Sequence, residues 1–305
     1  LVEGLPRLAG GVVAAGAACV AYGSLIERRW YARRDETLRV LRGTGRDGAG
    51  RLRMLLFSDL HFAPGQDHRL DYLRRVAEEA QPDLIVSGGD NLEHARAIEP
   101  VVEVHRDVLA STGAPGVAIL GAHDRYAPRR ANPANYLKEP SSGPGGRPLD
   151  TASLVAGLLG AGWSVLENAC VRVDTPAGVV EVVGIDDPHI QRDDVRVISA
   201  LVPDPAAVLR LGLVHAPYRR VLRRFESEGF DLTLAGHTHG GQLAVPGWGA
   251  LVSNCDLPPR NAKGTSLVGG RMPLHVSAGL GHSVYYPIRF ACRPEVSVLD
   301  LVPRV

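Results

Sequence analysis

Short apolar runs recur along this chain, and most of them stop at a glycine, an acid or a histidine. Residues 52–57 form an apolar run ending in Ser58 and Asp59, which predicts a buried strand with a carboxylate at its C-terminal end. Residues 70–80 have helical spacing, with Leu70, Leu73, Val76 and Ala77 on one face and charges on the other. A second strand over 84–87 ends in Gly88, Gly89 and Asp90. A helix near 101–110 leads to a third strand over 117–120, which ends in Gly121, Ala122, His123 and Asp124. A helix over 151–159 precedes short strands near Val171 and over 179–183. The run 209–214 ends in His215, a helix follows over 219–227, and 232–235 ends in Gly236 and His237. Strands over 275–278 and 296–301 close the pattern. The candidate ligands sit where strands stop, which is where open α/β folds build sites. No internal repeat interrupts the alternation.

The first fifty residues follow a different pattern. Residues 8–26 are rich in Ala, Gly and Val and carry no charge, a stretch about long enough to cross a bilayer. Arg28, Arg29, Arg33 and Arg34 follow it and only Arg7 precedes it, so the positive-inside bias places the following domain at the inner face of the cytoplasmic membrane. Basic residues after rather than before the apolar stretch argue for an anchor and against an export signal. The alternative is a helix packed against a cytoplasmic domain, or a disordered tail. Residues 43–50 read as a Gly-rich linker. The expected organisation is therefore an N-terminal segment 1–50 and a domain 51–305.

Composition narrows the classes. A chain of 305 residues with 45% hydrophobic content can bury a substantial core. With 34 basic and 33 acidic residues the formal net charge is +1, so no global field favours nucleic acid, and no specific nucleic-acid binding is expected. Recognition of phosphate must be local. The 4 cysteines are dispersed and suggest reduced thiols rather than a disulfide framework.

Carboxylates and imidazoles at successive strand ends suit a two-metal hydrolase, in which two cations share one bridging oxygen ligand and neutral imidazoles wall them. The motifs differ in weight. Asp59 with His61 is a weak signal alone, and Gly89 with Asp90 is also what a chain reversal uses. The segment 236–242, with His237 and His239 two apart in a Gly-rich loop after a strand, is far sharper. Asp186, Asp187, Pro188 and His189 read first as a turn, and His68, His94 and His105 as surface residues. His and Asp donors without thiolate favour Mn, Fe or Zn over Mg or Ca.

The order DxH, GD, GxHD, lone His, GHxH resembles the calcineurin-like metallophosphoesterase superfamily over residues 51–305. Residues 89–92, 126–128, Asn132 with Pro133, 215–218, 236–242 and 288–290 resemble its bacterial membrane-associated branch, which includes enzymes similar to UDP-diacylglucosamine pyrophosphatases. The resemblance implies an α/β fold, a four-layer α-β-β-α sandwich of two mixed sheets. It implies two divalent metal ions, one held by Asp59, His61, Asp90 and His239, the other by Asp90 as bridge with His215 and His237. A hydroxide shared between the metals would attack a phosphomonoester, phosphodiester or diphosphate in a phosphorylated small-molecule, nucleotide or lipid-linked substrate. His123 matches the family's catalytic histidine, with Asp124 expected to orient its ring. Asn91, Arg125 and His282 are candidate substrate contacts, with Arg129 and Arg130 joining Arg125 in a phosphate clamp. One departure stands out: Ala122 occupies the place of an Asn whose amide binds the second metal in the family. Water, Asn91 or His123 would then complete that shell, or the second metal binds weakly. The last acid of the GDxxD pattern is Glu93. The competing reading is a metal-binding sensor with a weakened second site and little hydrolysis.

Overall fold

The computed structural model describes residues 4–43, 50–129, 146–200 and 202–304, with side chains from residue 14 onward. Arg130, Asn132, Pro133 and nearly all of the Gly-rich stretch 43–50 lie outside the described residues.

In chain order the helices are α1 (Gly4–Leu25), α2 (Asp67–Ala80), α3 (Ile98–Thr112), α4 (Thr151–Gly160), α5 (Arg196–Ala200) and α6 (Arg219–Ser227). The strands are β1 (Ala32–Leu41), β2 (Leu52–Phe57), β3 (Leu84–Ser87), β4 (Gly116–Ala118), β5 (Trp163–Val165), β6 (Ala169–Thr175), β7 (Gly178–Ile185), β8 (Leu209–Val214), β9 (Leu232–Ala235), β10 (Ala244–Val245), β11 (Gly249–Ala250), β12 (Gly264–Val268), β13 (Met272–Val276) and β14 (Glu295–Pro303). Two six-stranded mixed sheets result, ordered β1-β14-β2-β3-β4-β5 and β12-β13-β9-β8-β7-β6, with β10 and β11 forming a separate pair. In the first sheet β2 to β5 run parallel, and in the second β7, β8, β9 and β13 do.

Three apolar layers explain why the central strands read as continuous hydrophobic runs. Met54, Leu56, Leu84, Val86 and Val117 face Val180, Val182, Leu209, Leu211 and Leu232 between the sheets. Leu55, Phe57 and Ile85 point the other way, onto Leu73, Val76, Val101, Val104 and Leu154 of α2, α3 and α4. Val183, Ile185 and Val214 pack outward on Ile198, Val221 and Phe225 of α5 and α6. Each sheet therefore has both faces covered, as parallel strands require, and the architecture is the α-β-β-α sandwich.

The N-terminal segment departs from expectation. β1 already belongs to the first sheet, paired in parallel with β14 from Ala32 opposite Glu295 to Leu38 opposite Leu301. The packed unit thus includes residues well before Arg51, because an edge strand needs only one covered face and β1 buries Val40 and Leu41 while exposing its charges. Glu27 is buried and accepts hydrogen bonds from the backbone of Ala291 and Cys292. The end of α1 docks beside it: Arg289 N–H donates to Gly23 O, and Tyr22 meets Phe290 edge to face with centroids 6.2 Å apart. α1 covers the apolar stretch, yet no helix among the described residues is long and apolar enough to cross a membrane. All four cysteines are free.

His105 is not a surface residue. It is fully buried, with Nδ1 2.7 Å from Val101 O, Nε2 3.1 Å from Ser87 Oγ and its ring against Phe57 and Trp163. It lies on the face of α3 that carries Val101, Val104 and Val108, and desolvation drives its pKa down to about 4, so it is a neutral core group.

Candidate metal centre

The C-terminal edges of both sheets meet at one place. β2 delivers Asp59 and His61, β3 delivers Asp90, β4 delivers His123, β8 delivers His215, and β9 delivers His237 and His239. Five of these, Asp59, His61, Asp90, His237 and His239, have φ between 39° and 67°. The left-handed region is unfavourable for residues with a side chain, and such residues concentrate where function holds them. Tight packing of the loops enforces the shape. Gly121 passes so close that a Cβ would overlap Asp90 Oδ1 and His215 Nε2, and a Cβ at Gly236 would stand 2.6 Å from Asp59 Oδ2.

The side chains form adjoining donor groups with ligand atoms in each within 4.8 Å of one another: Asp59, His61 and His239 in one, Asp90, His215 and His237 in another, and His61, Glu93 and His123 in a third that shares His61 with the first. Asp90 lies between the first two, its Oδ2 3.1 Å from His215 Nε2 and 3.6 Å from His61 Nε2. His239 Nε2 stands 3.6 Å from Asp59 Oδ1. The fit to cations rests on the atoms left over. His61 Nε2 and His215 Nε2 are buried and without a hydrogen-bond partner, although both belong to nearly inaccessible rings. Their other nitrogens are engaged: His61 Nδ1 with Glu93 Oε2 at 2.7 Å and His215 Nδ1 with Gly88 O at 2.7 Å. His237 likewise places Nε2 3.0 Å from Asn254 O, leaving Nδ1 toward the cluster. An imidazole that gives one N–H to a carbonyl or carboxylate presents the opposite lone pair, the arrangement of metal-ligating histidines. This donor set of nitrogen and carboxylate oxygen suits two borderline divalent cations.

Electrostatics agree with that use. Burial, with His189 and His215 nearby, holds His237 well below the usual imidazole range, and burial with His61 and Arg289 does the same to His239, so both are neutral. Burial pushes Asp59 up. Asp90 is held well below the carboxylate range despite burial, chiefly by His215 and His123. Burial lowers His215, but Asp90 and Asp59 more than offset this and raise it well above its ordinary value, a proton that a bound cation would displace.

His123 sits at the rim of the cluster, 27% exposed at its side chain, with its ring 4.5 Å from that of His61. Its backbone N–H donates to Asp90 Oδ1 at 2.7 Å. Asp124 does not orient its ring. The two residues are adjacent in a 3-10 turn and point apart, and the Asp124 carboxylate instead accepts the backbone N–H groups of Asp90, Asn91 and Gly121 at 2.8 to 3.0 Å. Asp124 thus shapes the loops carrying the site. The carboxylate beside His123 is Glu93, whose Oε2 stands 3.3 Å from His123 Nδ1 while also accepting from His61. Its Oε1 accepts from Ser283 Oγ and Val284 N–H.

Glu93 is therefore the residue that motif reading undervalued, since it marked Glu93 only as a mild change of acid. The signal was its spacing three residues after Asp90. Asp187 is a second such residue. It is fully buried at the end of β7, its Oδ2 has no hydrogen-bond partner, and burial pushes it up to about 7 in the neighbourhood of His215 and Asp90. Beside it His189 stacks against His237 with ring centroids 4.5 Å apart.

The proposed substrate contacts are placed differently from expectation. Asn91 is fully buried and its side chain faces Ser87 and Asp124, so it neither lines the open site nor replaces the missing amide of Ala122. Arg125 Nη2 pairs with two carboxylates, Glu167 at 2.6 Å and Asp186 at 2.9 Å, while its Nε is buried without a hydrogen-bond partner. His282 lies behind the Asp59 loop and against Arg28, with Nε2 3.3 Å from Arg28 Nη1.

Comparison with known proteins gives the arrangement its family. Residues 52–241 match the Calcineurin-like phosphoesterase family. Phosphodiesterase YaeI of Escherichia coli (strain K12) is 30% identical over 271 residues, covering 84% of this chain and 84% of that protein. An uncharacterized metallophosphoesterase of Bacillus subtilis (strain 168), YkuE, is 26% identical over 96% of this chain and 93% of its own. Among solved structures, a dimetal phosphatase from Danio rerio superposes with a TM-score of 0.46 at 13% identity, covering 77% of this chain and 88% of that one. The chain belongs to the calcineurin-like phosphoesterase family and is a metal-dependent phosphoester hydrolase.

Proposed function

We propose that the chain hydrolyses a phosphodiester, with Asp59, His61, Asp90 and His239 holding one divalent cation and Asp90, His215 and His237 the other. The observation that carries this reading is the pair of orphaned buried nitrogens, His61 Nε2 and His215 Nε2, on either side of the Asp90 carboxylate. Two cations bound there would acidify a water at neutral pH and offset charge developing on the phosphoryl oxygens.

The remaining steps belong to the side chains. His123 stands at the rim of the cluster with a partly exposed side chain, which supports a role at the leaving oxygen. Burial lowers it, but Asp90 and the adjacent Glu93 carboxylate outweigh that and raise it to about 9, so it carries a proton at neutral pH. It acts as the general acid, donating through the ring nitrogen not held by Glu93. Glu93 fixes the rings of His61 and His123 relative to each other. Asp124 fixes the loops of Asp90 and His123 through three backbone hydrogen bonds.

A diester is favoured because the relative at 30% identity is named a phosphodiesterase. The expected result is faster turnover of bis(p-nitrophenyl) phosphate than of p-nitrophenyl phosphate under added manganese, with nucleotide and lipid-linked diesters or diphosphates as the next arms. Faster monoester turnover would move the substrate class to phosphomonoesters.

A second reading, a binding protein with an incomplete second site, rests on Ala122, which offers no donor atom in the turn against Asp90 and His215. Ala122→Asn is expected to tighten the weaker metal-binding event about tenfold, by analogy with the effect of shell residues on metal affinity. An unchanged titration and rate would show that the missing amide is not what limits this site.

A further inference from the structure

Arg69 and Arg289 are fully buried, and among the described residues neither forms an ion pair with a carboxylate. Their partners are mainly carbonyls, with Arg289 Nη2 also 3.3 Å from His239 Nδ1. Arg69 Nη1 donates to Leu60 O and His61 O, and Arg289 donates to the carbonyls of His239, Gly279 and Gly281. Those bonds fix the loops of the metal centre but leave the charge of both guanidiniums uncompensated, and a buried charge without a counter-ion is strongly unfavourable. Glu93, the acid that acts electrostatically on Arg69, is already shared among His61, His123, Ser283 and Val284.

Arg69 also lines a cavity of about 40 Å³, with Arg28, Arg29, Tyr31, His68 and His282 beside it and no acidic side chain among its described lining. Arg69 Nε is buried there without a hydrogen-bond partner. His282 Nδ1 faces Ser283 O at 3.1 Å, so its Nε2 is free to accept from Arg28 Nη1 at 3.3 Å, and with Arg28 Nε donating to Ser24 O the remaining Nη2 of Arg28 has no carboxylate partner among the described residues. A larger hollow elsewhere, about 320 Å³, is also rich in arginine, but it carries acids in its lining: Arg42 and Arg304 pair with Asp231, and Arg271 pairs with Glu226, while Arg39 beside them has no such pair among the described residues. The smaller one has no carboxylate in its described lining at all.

We propose that this cavity is an oxyanion-binding site, distinct from the metal centre, that takes one phosphate-type group between Arg28 and Arg69. Planar guanidinium forks match the oxygens of phosphate. The site joins the N-terminal segment to the catalytic loops. Arg28 comes from the turn after α1, whereas Arg69 grips Leu60 and His61, and Gly281, next to His282, donates its N–H to Asp59 O at 2.6 Å. A phosphate group there would neutralise Arg69 and bind the N-terminal segment to the Asp59 loop.

The test is calorimetric titration of the manganese-loaded full chain with inorganic phosphate, in the wild type and in Arg28→Ala, Arg28→Lys and Asp90→Asn. Two binding events are expected in the wild type. One is weakened at least tenfold by Arg28→Ala, largely kept by Arg28→Lys, and untouched by Asp90→Asn; the other is lost in Asp90→Asn alone. Failure of the metal-centre reading would alter only the second event. Sedimentation with phosphatidic acid vesicles, against phosphatidylcholine vesicles, identifies the source of the phosphate. Arg28-dependent pelleting assigns a lipid headgroup, and its absence with the Arg28-dependent phosphate event retained assigns a soluble phosphate. No Arg28-dependent binding to either probe would overturn the proposal.

Discussion

Asp90→Asn is expected to lower kcat by a factor on the order of 10³ or more and to reduce bound metal from two ions per chain to one or none. The substitution keeps the shape of the side chain and an oxygen that can accept the His123 N–H, so the fold of the loop is preserved. What it removes is the negative charge that stands 3.1 Å from His215 Nε2 and 3.6 Å from His61 Nε2, between the two proposed cation sites. No other carboxylate occupies that position, because Asp59 lies in one group and Glu93 is turned to the outer nitrogens of His61 and His123. Metal analysis and turnover of the purified variant check this together. A variant that kept two metals and wild-type turnover would remove Asp90 from the bridging role.

His123→Gln is expected to lower kcat by about 10² to 10⁴ with metal content unchanged, the range typical of losing a general acid. The sign of its pH dependence follows from the raised pKa. The protonated ring is the active form, so kcat of the wild type falls as pH rises toward and through about 9. Bound cations would share the charge of Asp90 and move that limb to lower pH. In the variant the falling limb should vanish, which a merely structural role for His123 would not produce. Loss of metal instead would make His123 a ligand standing in for the missing amide at Ala122.

Much of this site was legible because buried parallel strands leave continuous apolar runs, and the residue just past each run is the one delivered to the sheet edge. Residues 52–57, 84–87, 209–214 and 232–235 each predicted such a strand, and the structure places β2, β3, β8 and β9 there with the same bounds. Where one face is solvated, the signal fades. β1 reads as a charged stretch and finds its place only through pairing with β14, more than 250 residues later, a contact with no local signature. Arg69 lies on the charged register of α2, yet its side chain is fully buried because it reaches back to the carbonyls of Leu60 and His61. The left-handed backbone at Asp59, His61 and Asp90 was equally invisible, since packing of glycine-rich loops across two sheets imposes it. The ion pairs of Arg125 were hidden for a related reason: its carboxylate partners, Glu167 and Asp186, come from beyond β5 and β7, far along the chain.

The most direct test of the account is the metal stoichiometry of the full-length protein measured alongside hydrolysis of bis(p-nitrophenyl) phosphate before and after chelation. The account predicts two divalent ions per chain, turnover that disappears when they are removed, and its return when manganese is restored. Hydrolysis that persists in the metal-free protein, or two bound ions with no turnover of any phosphoester, would contradict it.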